Sequence, residues 1–132
     1  MKLKQEQVAQ VVAEASSKMS DPNYSAVLVG GFVQSQTPVA QFISAHEREL
    51  GGAEAIVSVI FHCALVAECY RRQGGRIRTL SYEDLDAAAR GDSLVRLSEA
   101  QLPVAEFIKA NVENTDAQKL IAMIALAIDA AA

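Results

Sequence analysis

Aromatic residues are scarce in this 132-residue chain, at 5% of the total. Sheets favour aromatic and β-branched side chains, whereas the commonest residue here is alanine, the strongest helix former. That composition argues against a β-sandwich and for an all-α fold. A surplus of basic charge is missing too: 12 basic and 16 acidic side chains leave a net charge of −4. Nucleic-acid binding needs a basic surface to neutralise phosphates, so no nucleic-acid partner is expected. Hydrophobic residues make up 51% of the chain, which excludes intrinsic disorder. A single domain of this size buries roughly 65–70% of its unfolded surface and needs no metal or disulfide to hold it.

Long apolar runs are absent. The longest uncharged apolar stretch, Ala55 to Ala67, contains Ser58 and His62 and falls short of the roughly 20 residues that span a bilayer. Met1 to Gln7 is polar, without the apolar core of a signal peptide. These features predict a soluble, cytoplasmic protein with no membrane partner. The two cysteines, Cys63 and Cys69, lie six residues apart, roughly 9 Å along a helix axis. Bridging fails beyond about 7 Å, so both are expected as thiols.

The three prolines and seven glycines act as punctuation. Pro22 and Pro38 follow Asp21 and Thr37, and proline suits the first helical position just after such an N-cap. Pro103 follows Leu102. Gly51-Gly52, Gly74-Gly75 and Gly91 stand where helical patterns stop. Between these marks the apolar spacing is helical. Val8, Val11, Val12, Ala15 and Met19 form one stripe, and Val39, Phe42, Ile43, His46 and Leu50 another. The spacing predicts helices at about 4–19, 22–36, 38–50, 53–73, 82–90, 94–112 (bent at Pro103) and 116–131. That makes a compact bundle of about seven helices in a single domain, 1–132. Ser81 with Asp84, and Thr115 with Gln118, have capping-box spacing. Segment 26–33, AVLVGGFV, also fits a hairpin turning at Gly30-Gly31, but the Asp21-Pro22 start favours a helix. Two glycines inside a helix cost about 1 kcal/mol each relative to alanine, and close approach of another backbone is the expected compensation.

The most specific pattern is internal. Residues 36–45, QTPVAQFISA, align without gaps on 101–110, QLPVAEFIKA, differing only at Thr37/Leu102, Gln41/Glu106 and Ser44/Lys109. The offset of 65 is almost half the chain. It predicts two similar helical halves, 1–65 and 66–132, packed about a pseudo-two-fold axis, since a helical hairpin cannot bury its apolar face alone.

No catalytic or metal-binding motif accompanies these helices. Glu54, Ser58 and His62 fall on one arc of helix 53–73, yet a solvated stripe with His62 at its margin accounts for them more simply. Cys69 is about 10.5 Å further along than His62, too far to share an ion. His46 and Glu49 can meet on one face, but His46 near a helix end is expected to bond a carbonyl. Neither a cofactor nor a metal is expected. Arg71, Arg72, Arg76 and Arg78 surround Gly74-Gly75 and suit one anion or an acidic partner face. The self-match sets His46 on Asn111, two polar groups that could anchor a ligand between the halves, with Gly30-Gly31 as its close-approach wall. Phe61, Leu65 and Leu126 fall outside the main apolar arcs of their helices and are expected to meet a partner subunit. The expectation is a non-enzymatic protein-interaction module that self-associates as a homodimer, with a small apolar or anionic ligand as the alternative. An enzyme or metal protein using His62 ranks last.

Overall fold

Local capping fixes where most helices begin. The Asp21 carboxylate accepts from the Asn23 amide at 2.9 Å with Pro22 directly behind it, and a helix follows through segment 26–33, so the hairpin alternative does not form. The Ser81 hydroxyl accepts from the Asp84 amide while the Asp84 carboxylate accepts from the Ser81 amide, completing the anticipated capping box. The computed structural model describes all 132 residues and contains nine helices. They are α1 (Gln5–Lys18), α2 (Pro22–Ser35), α3 (Thr37–Ser44), α4 (Glu47–Leu50), α5 (Ala53–Arg72), α6 (Tyr82–Ala88), α7 (Ser93–Ala100), α8 (Leu102–Asn111) and α9 (Thr115–Ala131). No strand is present, and the fold is all-α.

Two expected helices are each divided. Segment 38–50 breaks at Ala45-His46 into α3 and α4, and 94–112 breaks at Gln101 into α7 and α8. Gln101 leaves the helical region, with φ −146° and ψ 75°. The apolar period continues across it because both helices face the same core, so periodicity alone hides the break. Two caps also move by one residue. Gln36, not Thr37, precedes α3, and the Thr37 hydroxyl donates to the Val33 carbonyl. Asn114, not Thr115, caps α9 by accepting from the Ala117 amide at 3.0 Å.

The long helices α5 and α9 pack on each other at the centre. Helices α1 to α4 surround α5, while α6, α7 and α8 surround α9. Three contacts cross over, α1 onto α8, α3 onto α6 and α4 onto α9. Val59, Cys63, Val66 and Tyr70 of α5 meet a core that includes Ile121, Ile124 and Ile128 of α9. By length and apolar composition α5 is the one helix able to cross a bilayer, yet over half of its apolar window is covered by other helices, as a core helix requires. Gly30 and Gly31 have nothing within 4 Å of where a Cβ would stand. The expected close backbone approach is therefore absent, because neighbouring helices pack against the opposite side of α2, around Phe32.

Candidate functional site

The C-terminus of α5 shapes one concavity of the surface. The Gly75 amide donates to the Tyr70 carbonyl at 2.9 Å and the Gly74 amide to the Arg71 carbonyl at 3.1 Å. With Gly74 at φ +85°, this is a Schellman ending. It turns the chain back alongside α2. A hollow of about 620 Å3 remains between α2, α5 and residues 75–77. Phe32, Ala64, Ala67 and Ile128 line it with apolar surface, and Arg71 and Arg76 stand at its edge.

The arginine cluster divides accordingly. Arg78 forms a bidentate pair with Asp84, Nη2 to Oδ1 at 2.7 Å. That pairing holds the Asp84 carboxyl well below the usual carboxylate range. Arg72 bridges helices, reaching Glu14 of α1 at 2.8 Å and Glu68 of its own helix at 3.2 Å. Glu14 is lowered first by Lys18 and then by Arg72. Arg71 contacts Glu68 at 3.0 Å with most of its side chain exposed. Arg76 is exposed and belongs to none of the ion pairs. The four arginines therefore do not form a single clamp. Arg72 and Arg78 are structural, and Arg71 and Arg76 border the hollow.

A second groove, of about 410 Å3, runs between α1, α2, α5 and α8. It gathers Glu54, Ser58, Phe61, His62, Leu65 and Asn111. His62 Nδ1 lies 2.7 Å from the Ser58 carbonyl and donates to it, since a carbonyl oxygen only accepts. The ring stands edge-on to Phe61 and tilted against Phe107. Neither Glu54 nor Ser58 hydrogen-bonds to this histidine through its side chain, and no three His, Cys, Asp or Glu side chains converge as a metal site requires. The groove has no assembled nucleophile–base pair.

His46 and Asn111 are not brought together. Each instead bonds the carbonyl four residues earlier in its own chain segment, His46 Nδ1 to Phe42 and Asn111 Nδ2 to Phe107, both at 2.8 Å. Asn111 borders the second groove, and His46 borders neither concavity. The partner-facing patch of Phe61, Leu65 and Leu126 is also not formed. Leu65 is only 4% exposed, because α1 and α2 cover that side of α5, and Phe61 and Leu126 are half-buried against the core.

Several structural roles lay outside the sequence reading. Gln36 and Gln101 are the only buried polar side chains, and the sole signal for them was that both open the self-match. Tyr70 and Gln101 both donate to Asp129 Oδ1, at 2.7 and 2.8 Å, a contact no local spacing announces. Burial and then Asp129 push the Tyr70 phenol far up. Against this geometry, no family model, curated protein or solved structure matches the chain.

Proposed function

We propose that this protein is a non-enzymatic interaction module that pairs with a second copy of itself through the outer face of α2. One observation carries the reading. Helix α2 contains Tyr24, Ala26, Val27, Leu28, Val29, Phe32 and Val33, yet buries only Phe32. A helix apolar on all sides is ordinarily enclosed. Its outward positions Ala26, Val27, Gly30 and Gln34 are exposed, Val27 at 75%.

Charge selects a second copy as the occupant. From Pro22 to His46 the chain has no Asp, Glu, Lys or Arg. Across a two-fold axis each residue near the axis meets its own copy, so a charge there would meet a like charge. Two molecules of net charge −4 repel over most of their surface, and the uncharged α2 face is where that repulsion is least. Ala26 and Gly30, one turn apart, allow two helix backbones to approach closely.

The same reading takes 1–65 and 66–132 as two copies of one ancestral unit, supported by the crossed contacts α1–α8 and α3–α6. On that reading Gln36→Ala and Gln101→Ala weaken the fold in parallel, and a large effect from one with none from the other speaks against it.

Sedimentation from micromolar to millimolar concentration tests the pairing. A wild-type dimer is expected, with Val27→Glu and Gly30→Glu monomeric and unchanged in helical content. A wild type that keeps the mass of one chain throughout, or a dimer that survives both substitutions, overturns the proposal.

A further inference from the structure

We infer that the hollow between α2, α5 and residues 75–77 binds a small amphipathic carboxylate, an apolar body ending in a single anionic head. The inference goes beyond self-association and does not rest on it. It begins with Gly31, which lines this hollow. Glycine in a helix interior costs about 1 kcal/mol relative to alanine. A Cβ at Gly31 would meet no atom within 4 Å, and its φ is not in the left-handed region. Neither backbone conformation nor internal packing therefore requires glycine at this position. What its missing side chain leaves is room in the hollow.

The shape and chemistry of that room specify the ligand. Its volume of about 620 Å3 lies within the usual range for small-molecule sites. Val27 and Leu28 of α2 and Ile77 beyond α5 supply apolar walls, and the small Ala64 and Ala67 of α5 lie beneath them. Polar groups on the rim are mostly occupied: Ser35 donates to the Phe32 carbonyl, and Gln36 is committed to Arg78 and Leu80. A polyhydroxylated ligand would find few partners here. The available groups are cationic, Arg76 with no ion pair and Arg71 with one exposed contact to Glu68. Arg71 belongs to the last turn of α5 and Arg76 follows the Gly74-Gly75 turn, and both border the hollow. Guanidinium groups bind carboxylates through paired hydrogen bonds. An apolar recess bordered by two arginines thus matches an anion-tipped apolar molecule and disfavours a neutral one.

Isothermal titration with decanoate, below its micelle concentration, tests the inference. Saturable binding of one decanoate per chain is expected, with decanol and acetate each at least tenfold weaker. Arg71→Gln/Arg76→Gln is expected to weaken decanoate binding at least tenfold and leave decanol unchanged. Gly31→Leu fills the recess and is expected to abolish binding, and Gly31→Ala to raise thermal stability. Circular dichroism confirms that each variant is folded. No saturable decanoate binding, equal affinity for decanol, or full binding by folded Gly31→Leu would overturn the assignment. If Gly31→Leu does not fold, the arginine pair decides alone. Because Gly30 does not line the hollow, the Gly30→Glu monomer keeps its lining unchanged, and failure of self-association and failure of carboxylate binding remain separate results.

Discussion

Gln36 and Gln101 grip the backbone of opposite halves of the chain in the same manner. The Gln36 amide donates to the Arg78 carbonyl and accepts from the Leu80 amide, both at 2.8 Å. The Gln101 amide donates to the Met1 carbonyl and accepts from the Leu3 amide at 2.9 Å. Each therefore bonds residues two apart on an extended segment, as a strand neighbour would, and buries one leucine, Leu80 or Leu3. Each segment then enters a helix whose third residue reaches back to the cap: Gln7 accepts from the Lys4 amide and Asp84 from the Ser81 amide. The first half thus holds the second at 78–80, and the second holds the first at 1–3.

Truncating either glutamine strands a buried amide N–H, since the Leu3 and Leu80 amides are enclosed with the glutamine oxygen as their partner. An unsatisfied buried group costs about 1–3 kcal/mol. Gln36→Ala and Gln101→Ala are each expected to lose about 2 kcal/mol in urea unfolding. Gln101→Ala is the larger loss, because Asp129 also loses a donor. Losses below about 0.5 kcal/mol, the range of ordinary surface substitutions, would show that the clamps do not contribute.

The same two residues mark the limit of what the sequence discloses. Helix starts at Pro22 and Tyr82 follow from local chemistry, a side-chain oxygen placed to accept an amide proton within three residues. The break at Gln101 has a local cause in Pro103, which lacks the N–H needed to continue α7 and which the sequence marks as a bend. The path of the chain there has a second, distant determinant, a segment 98 residues away that occupies the side chain. The arginine cluster is compact in sequence but parts in space, since Asp84 and Glu14 draw Arg78 and Arg72 away. Leu65 falls off the main apolar arc of its own helix, and only the placement of α1 and α2 covers it. The hollow depends on the turn at Gly74-Gly75, which the glycine pair signalled as a helix end without giving its direction.

Two glycines should respond to alanine with opposite signs. At Gly30 a Cβ meets open space, so Gly30→Ala is expected to stabilise the monomer by up to about 1 kcal/mol through helix propensity. At Gly75 a Cβ would stand 2.9 Å from the Tyr70 carbonyl oxygen and 3.2 Å from Met1 Cε. The backbone of a core helix cannot give way there, so Gly75→Ala is expected to lower the urea midpoint clearly. Chemical unfolding of dilute protein measures both. A neutral Gly75→Ala would contradict the closeness of that turn.

The Arg78–Asp84 pair gives an acid-dependent contribution to stability. Asp84 is lowered chiefly by Arg78, then by the Ser81 amide, whereas an unfolded aspartate titrates near about 3.9. A depressed folded value stabilises above the unfolded pKa and is lost as pH falls through the folded one. The difference in stability between wild type and Asp84→Asn should therefore be constant near neutrality and shrink progressively below about pH 4. Both side chains reach solvent, so added salt should reduce the difference as well. Denaturant unfolding across pH 2–7 reads this directly, and a gap that widens in acid would reverse the assigned sign.

Cys63 and Cys69 should resist thiol reagents for two separable reasons, enclosure and suppressed ionisation. Both are buried. Burial pushes the Cys63 thiol far up and the Cys69 thiol up to about 11, with Arg72 partly opposing the rise at Cys69. The thiolate is the reacting species, so at pH 8 the native protein offers almost none. Neither cysteine is expected to be modified by a disulfide reagent within the time that urea-unfolded chain reacts completely. Raising the pH at constant fold should bring Cys69 into reaction before Cys63, because its ionisation is less suppressed. Mass-mapped labelling against pH distinguishes the two sites. Fast native labelling of Cys63 at pH 8, without loss of helical content, would mean that the α5–α9 core opens far more readily than its packing implies.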